Sequence, residues 1–386
     1  MSHASLTARP RKKARASRGT TAGHAHQTPP TTRGRAAKDS LATSSPYIAS
    51  RTYDSLLFIY SPLIALSIAL LLTPLHWAFE RTRALGGIDS RVAIFIGVFT
   101  TAHLFAVLFR SHANAEIFVR HRVRFAWVPL LLFAALLGSK WLLISCAVLA
   151  AVWDVYHSSL QNFGLCRIWD ARLGNDPNAG RSLDRWLAHS LYIAPILAGP
   201  SLHKTVEGLA RFGEVDAELP GQLLSLIDRV HAPLAPFVWA AAAAFIAYYV
   251  VAYRRLARSG YRVSRQKIQF LISVGFTSLL AWGFLPPLEA FFIANFFHNL
   301  QYFGIVWWAE KGNIRRVFRL SPNSHDSVAL AAYLGSMLLV AIACESAVRS
   351  NLQWGVALAL VVTLMHFWYD GFIWSVRRHQ VDPAQG

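Results

Sequence analysis

Residues 268–309 read IQFLISVGFTSLLAWGFLPPLEAFFIANFFHNLQYFGIVWWA, two apolar runs separated only by Pro286 and Pro287. Each run is about as long as the roughly 20 residues with which an α-helix crosses the hydrocarbon core of a bilayer. Proline lacks an N–H group and clashes with the preceding turn, so a proline pair ends one helix and starts the next. The stretch therefore predicts a hairpin of two membrane-spanning helices.

The same pattern of apolar runs and short basic connections continues along the chain. Apolar residues make up 54% of the 386 residues and charged residues only 15%, whereas soluble domains carry about 25% charged residues. We therefore predict an all-α fold, a polytopic transmembrane helical bundle of about ten spans, near 54–75, 91–110, 124–138, 141–163, 187–202, 234–253, 268–285, 287–309, 327–347 and 353–376. Pro129 in the third span and Pro195 and Pro200 in the fifth predict tilted, kinked or re-entrant segments.

The basic residues predict the orientation of this bundle, because cytosolic loops collect Lys and Arg. With the N-terminus inside, 30 of the 38 Lys and Arg fall in the tail or in loops on that side, and 8 fall outside. An even number of spans in the inner (plasma) membrane, with both termini cytosolic, fits this asymmetry. The net charge of +18 is thereby explained without nucleic acid, which we do not expect as a partner.

Composition divides the chain into three parts. Residues 1–46 hold nine Lys or Arg against one acid and are rich in Thr, Ser, Ala and Pro, which predicts a disordered basic cytosolic tail. The transmembrane helical domain is expected over 47–380, and residues 381–386 form a short C-terminal tail. An arm that binds anionic lipid or nucleic acid is the functional alternative for residues 1–46.

Four histidines lie inside predicted spans that all run from outside to inside. Each is about 7 to 12 residues before the basic cytosolic boundary, so at about 1.5 Å per residue all four fall within a layer roughly 8 Å thick. Polar residues in a span are costly and usually face a partner, a cavity or a ligand. These residues are His103, His157, His298 and His366.

Polar neighbours at helical spacing accompany three of these histidines. Residues three or four apart share a helix face, which groups Asp154 and Gln161 with His157, Gln301 with His298, and Asp370 with His366. Neutral imidazole is the commonest metal ligand in proteins, and a nearby carboxylate or amide orients its second nitrogen. We predict His103, His157, His298 and His366 as metal ligands, with His112 at the cytosolic rim as the next candidate. Asp154 and Asp370 are predicted to be ligands or catalytic orienting groups, and Gln161 and Gln301 to contact the cofactor.

The residue types narrow the chemistry. Imidazole and carboxylate donors suit iron, zinc or copper better than calcium or magnesium, and a b-type haem held by two of the histidines is a variant. Three scattered cysteines, Cys146, Cys166 and Cys344, give no thiolate site, and phosphate loops, GxSxG and HExxH motifs are absent.

Three segments carry a resemblance to known proteins: DVYHSSLQNFG at 154–164, HNLQYF at 298–303 and HFWYDGFIW at 366–374. They resemble poorly characterised bacterial multi-pass, His-rich membrane proteins and, more loosely, the Brp/Blh-type carotenoid oxygenases. The latter resemblance implies iron held by histidines within a helical bundle. The His clusters of fatty-acid hydroxylases and desaturases are absent.

These observations lead us to expect an integral membrane metalloenzyme. Its most expected cofactor is non-haem iron. It would oxidise a lipid-like or isoprenoid substrate near the cytosolic leaflet, with membrane lipids, a hydrophobic small molecule and an electron donor as partners. Two alternatives remain open: a proton-coupled transporter or channel that uses the intramembrane His and Asp, and a non-catalytic assembly or lipid-binding protein.

Overall fold

The computed structural model describes residues 45–80, 89–199, 218–285, 287–321 and 323–374. All regular secondary structure within these ranges is helical. Residues 1–44 of the predicted tail and the C-terminal residues 381–386 lie outside the described residues. The predicted all-α class is confirmed for the part of the chain that is described.

Eleven helical segments form the described part of the fold. They are α1 (Arg51–Ile59, of which Asp54–Ile59 is π-helical), α2 (Ser61–Glu80), α3 (Asp89–Ser111), α4 (Ala115–Gly138), α5 (Lys140–Arg172), α6 (Arg181–Ala198), α7 (Glu218–Arg258), α8 (Arg265–Phe284), α9 (Pro287–Val317), α10 (Asp326–Arg349) and α11 (Gln353–Ile373).

Seven of these helices, α3, α4, α5, α7, α8, α10 and α11, are long and apolar enough to cross a membrane. The count becomes eight if α1 and the first part of α2, which bend by 54° at Tyr60, together form one span. The predicted number of about ten is therefore not confirmed. The two predicted spans that fall short are α6 and α9, whose charged or polar residues lower their mean hydropathy.

Side chains at the helix starts explain several of the boundaries. Ser139 accepts a hydrogen bond from the backbone N–H of Leu142 at 3.3 Å, and Ser264 accepts one from Lys267 at 3.3 Å. Such caps satisfy backbone donors that have no partner within the helix. The break in α4 occurs at His121 (φ −127°, ψ 22°), not at Pro129 as the sequence suggested.

Small residues bring the central helices together. α3 packs against α9, α10 and α11, and α9 also contacts α2 and α8. One buried apolar cluster runs through α3, α9, α10 and α11, where Ala106, Val306, Ala341 and Ala357 are fully buried. Small side chains let helix backbones approach closely, which is how helices associate in lipid. This packing holds α3 against both α9 and α11, so that three of the four helices that carry the predicted metal ligands are fixed relative to one another.

Candidate metal centre

Four histidines from four different helices meet in the interior. His103 comes from α3, His157 from α5, His298 from α9 and His366 from α11, and none is more than 4% exposed. One ring nitrogen from each lies within 4.8 Å of the corresponding nitrogen of all the others. Residues far apart in the sequence are thus brought into one group, as depth matching predicted, and this group could bind a metal ion.

Backbone carbonyls fix the orientation of two of the rings. His103 Nδ1 is 2.8 Å from the carbonyl oxygen of Thr100, and His366 Nδ1 is 3.2 Å from that of Leu104. A carbonyl oxygen can only accept, so each Nδ1 carries the hydrogen and each neutral ring presents the lone pair of Nε2. Carbonyl groups orient metal-binding histidines in this way in known sites.

The Nε2 atoms of the histidines face one another, and there are too few hydrogen-bond donors to satisfy them. His366 Nε2 is 3.2 Å from His157 Nε2, while His103 Nε2 and His298 Nε2 are buried without any hydrogen-bond partner. A buried polar atom without a partner costs about 1–3 kcal/mol, and such atoms need an explanation. A cation that accepts the lone pairs would satisfy all of them.

The spacing also fits a metal. Metal–nitrogen bonds of about 2.0–2.1 Å allow two ligand nitrogens to be at most about 4 Å apart. The pair at 3.2 Å meets this limit, and the widest separation of 4.8 Å needs to close by less than about 1 Å. Side-chain rotations of that size accompany ligand binding in packed sites.

Asp370 places one carboxylate oxygen beside this group. Its Oδ2 atom is 3.7 Å from His366 Nε2 and 3.9 Å from His157 Nε2. Its Oδ1 atom accepts hydrogen bonds from the Tyr302 hydroxyl at 2.9 Å and from Trp374 Nε1 at 3.0 Å. Asp370 is therefore held by Tyr302 and Trp374 with its second oxygen turned towards two of the imidazoles.

The two predicted glutamines serve different purposes. Gln161 Nε2 donates to the carbonyl oxygen of His298 and to Gln301 Oε1, both at 3.0 Å, and thereby joins α5 to α9. Gln301 is fully buried and donates to the Phe58 carbonyl at 3.3 Å and to Ser61 Oγ at 3.2 Å. Gln161 borders the cavity described below, whereas Gln301 braces the helix that carries His298 against α1 and α2.

Two predicted site residues lie outside the cluster. His112 has Nδ1 2.8 Å from Ser111 Oγ and Nε2 3.2 Å from the carbonyl oxygen of Phe125, so both ring nitrogens are occupied at the end of α3. Asp154 makes no hydrogen bond in the described structure and lies near Tyr192 of α6. Neither side chain belongs to the group of four histidines.

Sequence reasoning missed the residues that lock the end of α11. Arg110 pairs with Glu310 at 2.5 Å, donates to the carbonyl oxygen of Ile373 at 3.2 and 3.1 Å, and lies 4.1 Å above the Trp374 ring. Glu310 also accepts hydrogen bonds from Asn114 and Asn313. The signal in the sequence was an isolated acid, Glu310, among basic residues at a predicted boundary.

A second buried group of charges lies near the basic ends of α5, α6 and α8. Lys267 Nζ is 2.7 Å from both Asp170 and Asp184, and Arg167 is 2.5 Å from Asp184. Burial and the neighbouring Asp170 carboxylate raise the pKa of Tyr261, which donates to Asp170 at 2.6 Å. Two cations and two anions balance here, so the group stabilises the packing of these helices.

A small cavity of about 100 Å³ adjoins the histidines. His157 and Asp370 form part of its wall, together with Gln161, Tyr302 and Trp374. The remaining wall is apolar or glycine and consists of Trp153, Leu160, Gly164, Leu165, Ile168, Ile305, Phe367 and Gly371. An apolar ligand in this cavity would lie against the imidazole of His157 and the carboxylate of Asp370.

No family model, curated protein or solved structure matches this chain significantly. Function is therefore inferred from the chemistry of the centre itself.

Proposed function

We propose that this chain is an integral membrane metalloenzyme in which His103, His157, His298 and His366 hold non-haem iron. The observation that carries the proposal is the convergence of four buried imidazoles, two of which have an Nε2 atom without a partner. Interhelical hydrogen bonding, the ordinary reason for a histidine in a span, does not account for such atoms.

The donor set supports iron among the possible metals. Imidazole nitrogens with a carboxylate nearby suit iron, copper or zinc, and when bound, iron supplies one-electron and dioxygen chemistry. The ring centroids of His103 and His298 lie 4.7–5.2 Å from those of the facing histidines. Because rings this close leave no room for a flat macrocycle between two axial histidines, the packing favours a non-haem ion over haem.

The surroundings support a hydrophobic substrate. The cavity beside His157 is walled mainly by aromatic and aliphatic side chains, and two of its few polar groups, Tyr302 and Trp374, donate hydrogen bonds to a third, Asp370. Sites of this composition bind apolar small molecules and use the polar groups for orientation. We infer oxidation of a lipid-like or isoprenoid molecule taken from the bilayer, with an external electron donor. A proton relay has less support, because Asp154 makes no hydrogen bond towards the histidine cluster.

Metal analysis of the purified, detergent-solubilised chain tests this function. We expect about one iron per chain by elemental analysis, since a centre with several protein ligands retains its metal through purification. The optical spectrum should lack the intense band of haem. A protein that holds no metal or haem, even after incubation with Fe²⁺ or Zn²⁺, would refute the enzyme proposal and favour the transporter.

Asp370→Asn should weaken metal binding without abolishing it. Asparagine can keep the contacts to Tyr302 and Trp374 through its carbonyl oxygen, but it removes the negative charge beside the two imidazoles. Loss of such a neighbouring group typically lowers metal affinity by about 10–100-fold. Affinity measured by competition with a chelator checks this, and Asp154→Asn should cause a smaller change. Equal effects of the two substitutions would remove Asp370 from the centre.

The basic asymmetry supports placement in the inner (plasma) membrane with both termini cytosolic. Reporter fusions near residues 260 and 315 should read inside and one near 215 outside, because Lys and Arg are retained on the cytosolic side. The controls are the same reporters fused to a protein of known topology. Inverted readings at all three positions would place the histidine layer near the opposite leaflet.

A further inference from the structure

The cavity beside the histidines has an opening at two glycines. Gly164 of α5 and Gly371 of α11 both border the cavity, and Gly371 is exposed. A Cβ atom built on either glycine would meet no atom within 4 Å. Space is therefore open beside both glycines, at the places where α5 and α11 border the cavity.

The position of the opening relates it to both the bilayer and the histidines. Gly164 follows His157 by seven residues on one helix, about 10 Å along its axis. It precedes Arg167, the first basic residue at this end of α5, by three residues. In a membrane, the opening would therefore lie just inside the polar boundary, with the histidines deeper in the hydrocarbon layer.

The size and walls of the cavity restrict what can pass through this opening. A volume of about 100 Å³ is well below the roughly 300–1,000 Å³ of pockets that enclose a whole drug-sized ligand. Only the end of a longer molecule fits, while the rest stays in the bilayer. Trp153, Leu160 and Phe367 belong to the apolar wall of the cavity and favour an apolar end.

We propose that Gly164 and Gly371 form a lateral opening through which one long apolar chain, fatty acyl or isoprenoid, enters from the bilayer and reaches His157 with its tail. This substrate route rests on the proposed function for its chemistry, although binding of the chain does not require the metal. The polar head of such a molecule remains at the boundary near Gly371.

Photocrosslinking tests the route in the full chain. The probe is octadecanoic acid with an alkyl diazirine near its methyl end, irradiated with the protein in phosphatidylcholine nanodiscs. We expect adducts on the cavity side chains Trp153, Leu160 or Phe367. Gly371→Leu should reduce these adducts by about tenfold, because the leucine side chain would occupy the opening through which the probe enters.

Two variants serve as controls. Gly335 of α10 also has nothing within 4 Å of an added Cβ, and it lies away from the cavity, so Gly335→Leu should leave the adducts unchanged. Gly371→Ala adds a methyl group that meets no atom, so it should fold normally and retain most of the adducts. Adducts confined to outward-facing side chains, or equal yields in Gly371→Leu, would overturn the route.

The outcomes separate this inference from the metal proposal. Gly371→Leu should keep its metal while losing cavity adducts. Metal without cavity adducts in the unmodified chain would refute the opening and leave the metal centre intact. Cavity adducts in a chain that holds no metal would support the opening and refute the metal centre. Competition by unlabelled octadecanoic acid or by geranylgeraniol shows which kind of chain is preferred.

Discussion

Replacing any one of the four histidines by alanine is expected to lower bound metal more than about tenfold, because each imidazole contributes one donor to a buried centre that has none to spare. His157→Ala and His366→Ala should be the most severe, since each also removes the contact between these two rings and a neighbour of Asp370. Elemental analysis per chain, on protein that elutes as a single species, is the measurement.

Two other histidines provide matched controls for this series. His325 is exposed at the start of α10 and bonds Ser327, and His112 bonds Ser111 and Phe125 at the end of α3. Alanine at either position should leave the metal content unchanged. If His112→Ala removed the metal as completely as His366→Ala, the centre would include a residue that the structure places elsewhere.

Depth along parallel helices was sufficient to group the four histidines. All four occupy predicted spans of the same direction, and each is a similar distance from a basic boundary. Their depth along the helix axes was therefore enough to group them. Depth does not specify which face of a helix a side chain occupies, and His112 shows the effect of this second variable. It follows His103 by nine residues, which at 3.6 residues per turn is about 180° around the helix.

The two aspartates differ for a related reason. Asp154 precedes His157 by three residues and Asp370 follows His366 by four, on helices predicted to run in the same direction. They therefore lie on opposite sides of the histidine layer, separated by about 10 Å along the bundle axis. Of the two, only Asp370 contacts Tyr302 and Trp374 and forms part of the cavity wall.

The helical class followed from composition, but the number of spans did not. Apolar blocks locate α3, α10 and α11 clearly, because each contains a continuous apolar window with few charged residues. α9 is harder to classify, since its buried Asn295, His298 and Gln301 lower the hydropathy that identifies a span. The residues that build the site are thus the ones that obscure the helix that carries it.

Buried ion pairs at the basic end were not predictable from charge counting. The sequence assigns Lys267 and Arg167 to cytosolic loops, yet their side chains are 1% and 6% exposed in the structure. The sequence alone does not distinguish a charged residue in an exposed loop from a charged residue that is buried. The difference depends on partners far along the chain, such as Asp170, which precedes Lys267 by 97 residues.

Lys267→Met is expected to cause the largest loss of stability in the chain. The substitution keeps the unbranched apolar stem of the side chain but removes its ammonium group, which leaves two buried carboxylates, Asp170 and Asp184, with a single cation, Arg167. Removing one partner of a buried ionic group typically costs about 3–5 kcal/mol, because the remaining charge is uncompensated. The hydroxyl of Tyr253 also loses its 2.7 Å hydrogen bond from Lys267. The loss should appear as a lower midpoint of thermal unfolding in detergent, followed by size-exclusion chromatography.

Two comparisons identify the cause of that loss. Lys311→Ala removes an exposed lysine that pairs with exposed Asp326, and it should change the midpoint little because water already screens that pair. The double variant Lys267→Met with Asp170→Asn restores charge balance, and the introduced amide oxygen can still accept the hydrogen bond from Tyr261, so the midpoint should recover in part. If the double variant were less stable than Lys267→Met alone, packing rather than the uncompensated charge would explain the effect. Metal content should follow the folded fraction in every one of these variants, because the ionic group shares no residue with the histidine centre.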